Sequence, residues 1–419
     1  MPNLDEVLKD TDKGREEIVD FLRDILRIPS ETGNELEIQK FISGFVKKYG
    51  PEVDMWEPDL EELKKHPGYV PVDRDYKDRP NVVATLKGTG GGRSLILNGH
   101  VDVIPAGPRS AWSVDPWGGE IIGDSIYGRG ASDMKSGIAA MTMAAKIIAD
   151  SGLKLKGDLT LEYTVDEELS GNGTLACVMK GYRADAGISL ETSSLKVQPA
   201  CIGRIWFEIG VKGKAAGIQN RRAGVNAIDL GYKIKQAVDS YEAIRISRNE
   251  HRLFPDKVEA MPCIVGDFRS GSYPSAFPDS CTLRGSMAIL PNEDSDAVKA
   301  DFKKYIEEFS REDPWMREHV PEVRYKGYFA EPSEIPTEHS IVRTVSEAFF
   351  RVTGKQPVIS GRTGAADIRF LNKYANTPSL IFGPGDTLQM HATDEHVKIE
   401  SVIQATKVLV ATIVQWCGV

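Results

Sequence analysis

Ser94-Leu95-Ile96-Leu97-Asn98-Gly99-His100-Val101-Asp102 is the stretch on which the fold turns. Its apolar half is too short for a helix and runs directly into His100 and Asp102, residues able to hold a metal ion. The same arrangement recurs downstream. Residues 159–165 run into Asp166-Glu167-Glu168, residues 186–190 end at Glu191, and residues 378–382 lead through Gly383-Pro384-Gly385 to His391. Together with 81–86, these are short apolar runs bounded by Gly, Asn and Asp, the pattern of parallel strands covered on both faces. Helical spacing alternates with them at 136–150 and 399–416. It also precedes them, in Ile18, Phe21, Leu22, Ile25 and Leu26 and again at 36–49. The expected fold is α/β, a mixed and mostly parallel sheet with helices on both faces. Residues 57–80, polar and proline-dotted, read as an exposed excursion. Gly88-Thr89-Gly90-Gly91-Gly92 joins two strands and reads as a hairpin-like turn, not a dinucleotide loop.

Residues 204–327 follow another pattern. Runs 205–212 and 281–290 alternate as half-exposed strands do, while 227–241 and 297–309 are amphipathic helices. They predict a self-contained α+β unit, two helices on an antiparallel sheet. It is inserted into a discontinuous domain made of 1–203 and 328–419. A chain of 419 residues is long enough to need two cores.

Composition excludes other classes. No apolar run approaches the ~20 residues of a membrane span, and the N-terminal residues alternate charge without a signal-peptide core. The five cysteines have no close or regular spacing, which points to reduced thiols and a cytoplasmic setting. A net charge of −9 disfavours nucleic acid as a partner.

In an open α/β sheet, ligands bind beyond the carboxyl ends of the strands, beside helix N-termini. His100, the Asp166-Glu167-Glu168 turn, Glu191 and His391 should therefore meet in one crevice. Asp133, ahead of the 136–150 helix, joins them. Singly each signal is weak: an Asp before a helix is usually a cap, and an acidic turn is usually solvated. At equivalent strand ends they are a constellation. Two histidines and three carboxylates satisfy two divalent ions only if one carboxylate is shared, and Asp133 is placed to bridge. Paired ions would acidify a water, and a further carboxylate must carry its proton. Of the neighbours Glu167 and Glu168, one binds metal and one is the base, and spacing does not say which. His66, His251, His319 and His339 read as surface residues, and His396 as a weaker ligand than His391. Gly361-Arg362-Thr363-Gly364 could offer N–H groups to an anion.

These residues also closely resemble the co-catalytic zinc hydrolases that include acetylornithine deacetylase, succinyl-diaminopimelate desuccinylase, aminoacylase and glutamate carboxypeptidase. The matching segments are 97–102, Tyr127-Gly128-Arg129-Gly130-Ala131-Ser132-Asp133-Met134-Lys135, Asp166-Glu167-Glu168-Leu169-Ser170-Gly171, Glu191 and Met390-His391. The resemblance implies a zinc-peptidase-like fold, and two divalent ions, zinc first, with cobalt or manganese as alternatives. It puts one ion on His100, Asp133 and Glu191 and the other on Asp133, Glu168 and His391. It makes Glu167 the general base, Asp102 the partner orienting His100, and the 133–134 peptide cis. It implies a small-molecule substrate and a homodimer formed through 204–327, the lid. Two positions depart from the pattern. Gly217 stands where the family carries a histidine that stabilises the oxyanion, a contact worth ~10²–10³ in rate; Arg362 or Asn226 would have to replace it, with Gly364 nearby. Ala288 stands where some members carry an arginine for a substrate carboxylate, though Arg284 shares its strand face. The implied activity is amide hydrolysis of N-acyl amino acids or small peptide-like amides. Hydrolytic deamination of an aromatic amine is an alternative, and Gly217 leaves open a metal-binding protein impaired in turnover.

Overall fold

The computed structural model describes residues 4–419, so the start of the charged N-terminal stretch, Met1 to Asn3, lies outside the described residues. The chain divides into two compact units. One comprises residues 1–200, 334–360 and 366–419; the other comprises 201–333 and 361–365.

The first unit is a mixed sheet between helices. Its strands lie in the order Glu52–Trp56, Asn81–Leu86, Leu159–Thr164, Leu95–His100, Ala186–Ser189, Ser379–Ile381 and Val197–Cys201. The middle four are mutually parallel, and antiparallel strands flank them. Leu95–His100 is buried at every residue, which is why its apolar run shows no alternation. Because the four central strands point the same way, their carboxyl ends open on one edge of the sheet. Lys135–Asp150 and Ile399–Cys417 pack on each other against this sheet. Their apolar surface goes nearly all the way round, as it must in helices buried on both sides. Gly137 lets the first of them approach closely: a Cβ there would sit 2.1 Å from the Leu190 carbonyl oxygen. The start of that helix is thereby pressed against the strand end that carries Glu191.

Two local expectations are corrected. The glycine-rich 88–92 segment is not a hairpin, because Leu159–Thr164 lies between the two strands it joins. The 57–80 excursion is not wholly exposed, since Val70, Tyr76 and Arg79 are buried. Polar side chains inside a fold need partners, and Tyr76 and Arg79 find theirs below the Asp166 turn.

In the second unit a four-stranded antiparallel sheet runs in the order Cys263–Ser270, Ser280–Ile289, Gly203–Lys212, Glu322–Ala330. Alternate residues Ile205, Phe207, Ile209 and Val211 share a core with Leu230, Ile234, Val238 and Tyr241 of helix Ala227–Arg248 and with Phe302 of helix Ser295–Ser310. Residues 361–365 belong to this unit, not to the sheet that follows them in sequence.

Candidate metal centre and active site

All the acidic and imidazole groups of interest lie in the first unit, at the carboxyl ends of its parallel strands. His100 closes Leu95–His100. Its Nδ1 donates to the backbone carbonyl of Asp102 at 2.8 Å. A carbonyl can only accept, so the ring proton sits on Nδ1 and the Nε2 lone pair faces inward. Around Nε2 stand Asp133 Oδ1 and Glu191 Oε1, both at 3.3 Å, and Glu167 Oε2 at 3.9 Å. Asp133 immediately precedes Met134, the cap of Lys135–Asp150, and the peptide between them is cis, as the resemblance implies. Its second oxygen, Oδ2, lies 3.5 Å from His391 Nε2, which is 3.0 Å from Glu168 Oε2. The donor atoms of His100, Asp133 and Glu191 fall within 4.8 Å of one another, and so do those of Asp133, Glu168 and His391. One carboxylate therefore faces two triads with one oxygen each.

The electrostatics fit a pair of cations. Burial raises the Glu167 carboxyl well above its ordinary range, and Glu191 adds to the effect while His100 opposes it. Burial and Asp133 likewise raise Glu168, against His391. Burial pulls His100 down, but the Asp133, Glu191 and Glu167 carboxylates that face its Nε2 outweigh that and leave it raised. So many buried carboxylates are stable together only with compensating positive charge. The donor set of two imidazoles and three carboxylates is what two divalent ions take.

Asp102 does more than its expected part. Its Oδ1 is 3.6 Å from His100 Nδ1, but the close bond to that ring comes from its backbone. The carboxylate instead accepts the N–H groups of Glu167 at 3.1 Å and Glu168 at 3.3 Å, and the Thr32 hydroxyl at 2.9 Å. It ties the histidine strand to the glutamate turn. That turn is not extended. Ser170 N–H and Gly171 N–H both donate to the Asp166 carbonyl, and Asp166 itself adopts a left-handed φ of 70°. Glu167 and Glu168 diverge because of the turn, not because of strand alternation.

Sequence reasoning missed the residues that hold this frame. Arg79 makes paired bonds to Glu35 and a third to Asp166, and the Tyr76 hydroxyl donates to Asp166 at 2.7 Å. Arg369 donates to the Ser170 carbonyl. Glu395, which the sequence left unassigned beside His396, accepts four hydrogen bonds from the Asp133 loop. His396 stacks on Tyr127 and bonds the Asp394 carbonyl, away from the ligand cluster. The histidines read as surface residues are half-buried instead: His66 packs edge-on to Tyr374, His251 against Phe254, His319 stacks on Trp315, and His339 caps helix Ser340–Thr353.

Asn226, Arg362, Gly364 and Gly217 all lie in the second unit. Asn226 caps Ala227–Arg248, its side chain accepting the Ile228 N–H. Arg362 is buried, and a Cβ on Gly364 would sit 3.5 Å from its Nε. Gly217 pairs with Ala276 in a two-residue strand and has ordinary extended angles. Ala288 is fully buried, and Arg284 is half-exposed and paired with Glu208 at 3.0 Å.

Residues 96–415 match the family described as peptidase family M20/M25/M40. Among curated proteins, the N-formyl-4-amino-5-aminomethyl-2-methylpyrimidine deformylase of Halalkalibacterium halodurans is 28% identical over 437 aligned positions, covering 99% of this chain and 97% of the relative. A probable succinyl-diaminopimelate desuccinylase of Staphylococcus epidermidis is 24% identical, with 94% of each chain covered. Among solved structures, a tripeptidase from Staphylococcus aureus superposes with a TM-score of 0.73 at 21% identity, covering 96% of this chain and 98% of that one.

Proposed function

This chain belongs to peptidase family M20/M25/M40 and is a metallohydrolase acting on carbon–nitrogen bonds; from that premise we propose that it removes a small acyl group, formyl first, from a primary amine that carries no carboxylate. The observation that carries the proposal is the pair of ligand triads sharing Asp133, with Glu167 beside them and outside both.

In this reading His100, Asp133 and Glu191 hold one divalent ion and Asp133, Glu168 and His391 the other, with zinc the first candidate. When bound, such ions polarise an amide carbonyl and acidify the attacking water. Glu167 takes the water's proton and returns it to the leaving nitrogen. Its Oε2 lies 3.9 Å from His100 Nε2 and it belongs to neither triad, so it stands beside the ions with its carboxylate available to hold a proton and then give it up. Asp102 keeps the His100 tautomer and the Glu167 backbone fixed, so neither has to reorganise during the reaction.

The choice of amine rests on two observations. Ala288 stands at the best match to the position where some members carry a carboxylate-binding arginine, and Arg284 is already paired with Glu208. A free α-carboxylate would thus go unmatched there, whereas the formamide named for the H. halodurans relative has none. Deacylation of N-acyl amino acids is the second reading, favoured by the desuccinylase likeness. Assembly as a homodimer through the second unit is supported by exposed Ile228 and Tyr232 on its long helix and by Ile264 and Phe268 on its edge strand. Five free, buried cysteines support a cytoplasmic setting.

A substrate panel tests this. We expect kcat/KM for N-formyl-4-amino-5-aminomethyl-2-methylpyrimidine to exceed that for N-acetylornithine, N-succinyl-diaminopimelate and dipeptides by about 100-fold or more. The products should be formate and the free amine. Preference for an N-acyl amino acid would reverse the proposal. Ammonia without formate would indicate deamination, and no turnover on any member would indicate an impaired enzyme.

A further inference from the structure

The chain segment that presents His391 also holds the loop that presents Asp133, and the Glu395 side chain makes four of the connecting bonds. Glu395, four residues after His391, is 1% exposed. Its Oε1 accepts the backbone N–H groups of Ser132 at 2.8 Å and Asp133 at 2.9 Å. Its Oε2 accepts the N–H of Gly130 at 2.9 Å and Nη1 of Arg129 at 2.7 Å. The same Arg129 nitrogen donates to the Ala392 carbonyl at 3.1 Å, and Gly128 N–H donates to the Glu395 carbonyl at 2.9 Å. Gly130 has φ of 83°, and a Cβ there would sit 2.6 Å from Val103, so the loop keeps this course only with glycine. A carboxylate met by three N–H groups and a guanidinium is charge-assisted on every bond.

The consequence is unequal for the two triads. His100 closes one sheet strand and Glu191 follows the end of its neighbour, and both are almost fully buried. Asp133, on the loop Glu395 grips, is common to both triads, but His391, which belongs to the second alone, is on the segment that carries Glu395 itself. His391 is moreover 48% exposed and sits in a left-handed turn at φ 62°.

We propose that Glu395 is a positioning residue that holds Asp133 and His391 at a fixed separation and thereby sets the affinity of the second metal position more strongly than that of the first, to which it is linked through Asp133 alone. This rests on reading the two triads as metal positions. Outer-shell partners of this kind are typically worth 10–100-fold in metal affinity. Glutamine is the informative substitution: it keeps the shape but turns an amide N–H₂ toward at least one donor that Glu395 now accepts.

The test is titration of chelator-stripped protein with Zn²⁺ by calorimetry, repeated with Co²⁺ to read each position by its visible spectrum. The wild type is expected to take up two ions. In Glu395→Gln the second dissociation constant should rise about 10- to 100-fold and the first by several-fold less. Arg129→Lys, which retains one charged donor, should shift the second constant in the same direction by less, and it serves if the glutamine variant does not fold. Equal weakening of both positions, or no change in either, overturns the proposal while leaving the two-ion reading intact. A wild type that never takes a second ion overturns that reading and the proposal with it.

Discussion

Replacing Arg79 by methionine removes the one cation in a closed group of buried charges. The guanidinium contacts Glu35 through Nε at 2.8 Å and Nη2 at 2.6 Å, and Asp166 through Nη2 at 2.9 Å. Arg79 is 3% exposed and both carboxylates are 0% exposed. Methionine fills most of the space but leaves two carboxylates opposed, with only the Tyr76 and Ser170 hydroxyls and the Gly33 N–H to meet them. Breaking a buried pair in this way costs about 3–5 kcal/mol, because the charge left behind is uncompensated. Thermal unfolding of the metal-free protein should show it as a fall in Tm on the order of 5 °C or more. Adding Glu35→Gln should recover part of the loss, since one of the two stranded charges is then gone. The variant should also turn over more slowly, because the Asp166 turn carries Glu167 and Glu168. A loss below about 1 kcal/mol, the range of an exposed ion pair, would refute the claim that this group holds the turn.

Two further outcomes follow from single positions. Gly217 has extended angles, and a Cβ there would meet only the Gln219 side-chain oxygen at 3.6 Å. Gly217→His should therefore fold with less than about 0.5 kcal/mol change in stability. It should raise kcat by about 10²–10³; unchanged kcat would mean another group already fills the oxyanion role. Burial pushes the Glu162 carboxyl up to about 7 from 4.5, against a lowering hydrogen bond from Asn98. The native state thus keeps a proton that the unfolded chain loses between those values, and stability falls as pH rises through that window. Glu162→Gln should match wild type below about pH 4.5 and exceed it by roughly 3 kcal/mol above pH 7. A gap that does not widen across the window would contradict the assignment.

The parallel core was legible because a strand buried on both faces writes itself as an unbroken apolar run, as at 95–97. Residues that follow such runs must collect at one edge, so His100, Glu191 and His391 could be grouped before their distances were known. Their supporting residues could not be. Arg79 and Asp166 are 87 positions apart, and Glu395 and Asp133 are 262 apart. Polar residues spaced like that look like ordinary surface until the fold buries them together, and so the end of the 57–80 segment reads as exposed although Tyr76 and Arg79 are buried. The 88–92 turn misled for a topological reason: nothing local reveals that a later strand inserts between the two it joins. The sequence also could not show that 361–365 leaves its neighbours to join the other unit, taking Arg362 and Gly364 with it.

The central claim is that two ions, held by triads sharing Asp133, act with Glu167 as the proton carrier. The most direct test measures metal content and turnover together, on wild type and Glu167→Gln, with whichever amide the panel selects. The account predicts two divalent ions per chain in both proteins and a fall in kcat of about 10²–10⁴ in the variant. A wild type holding fewer than two ions, or a variant that keeps its metal and turns over within a few-fold of wild type, would contradict it.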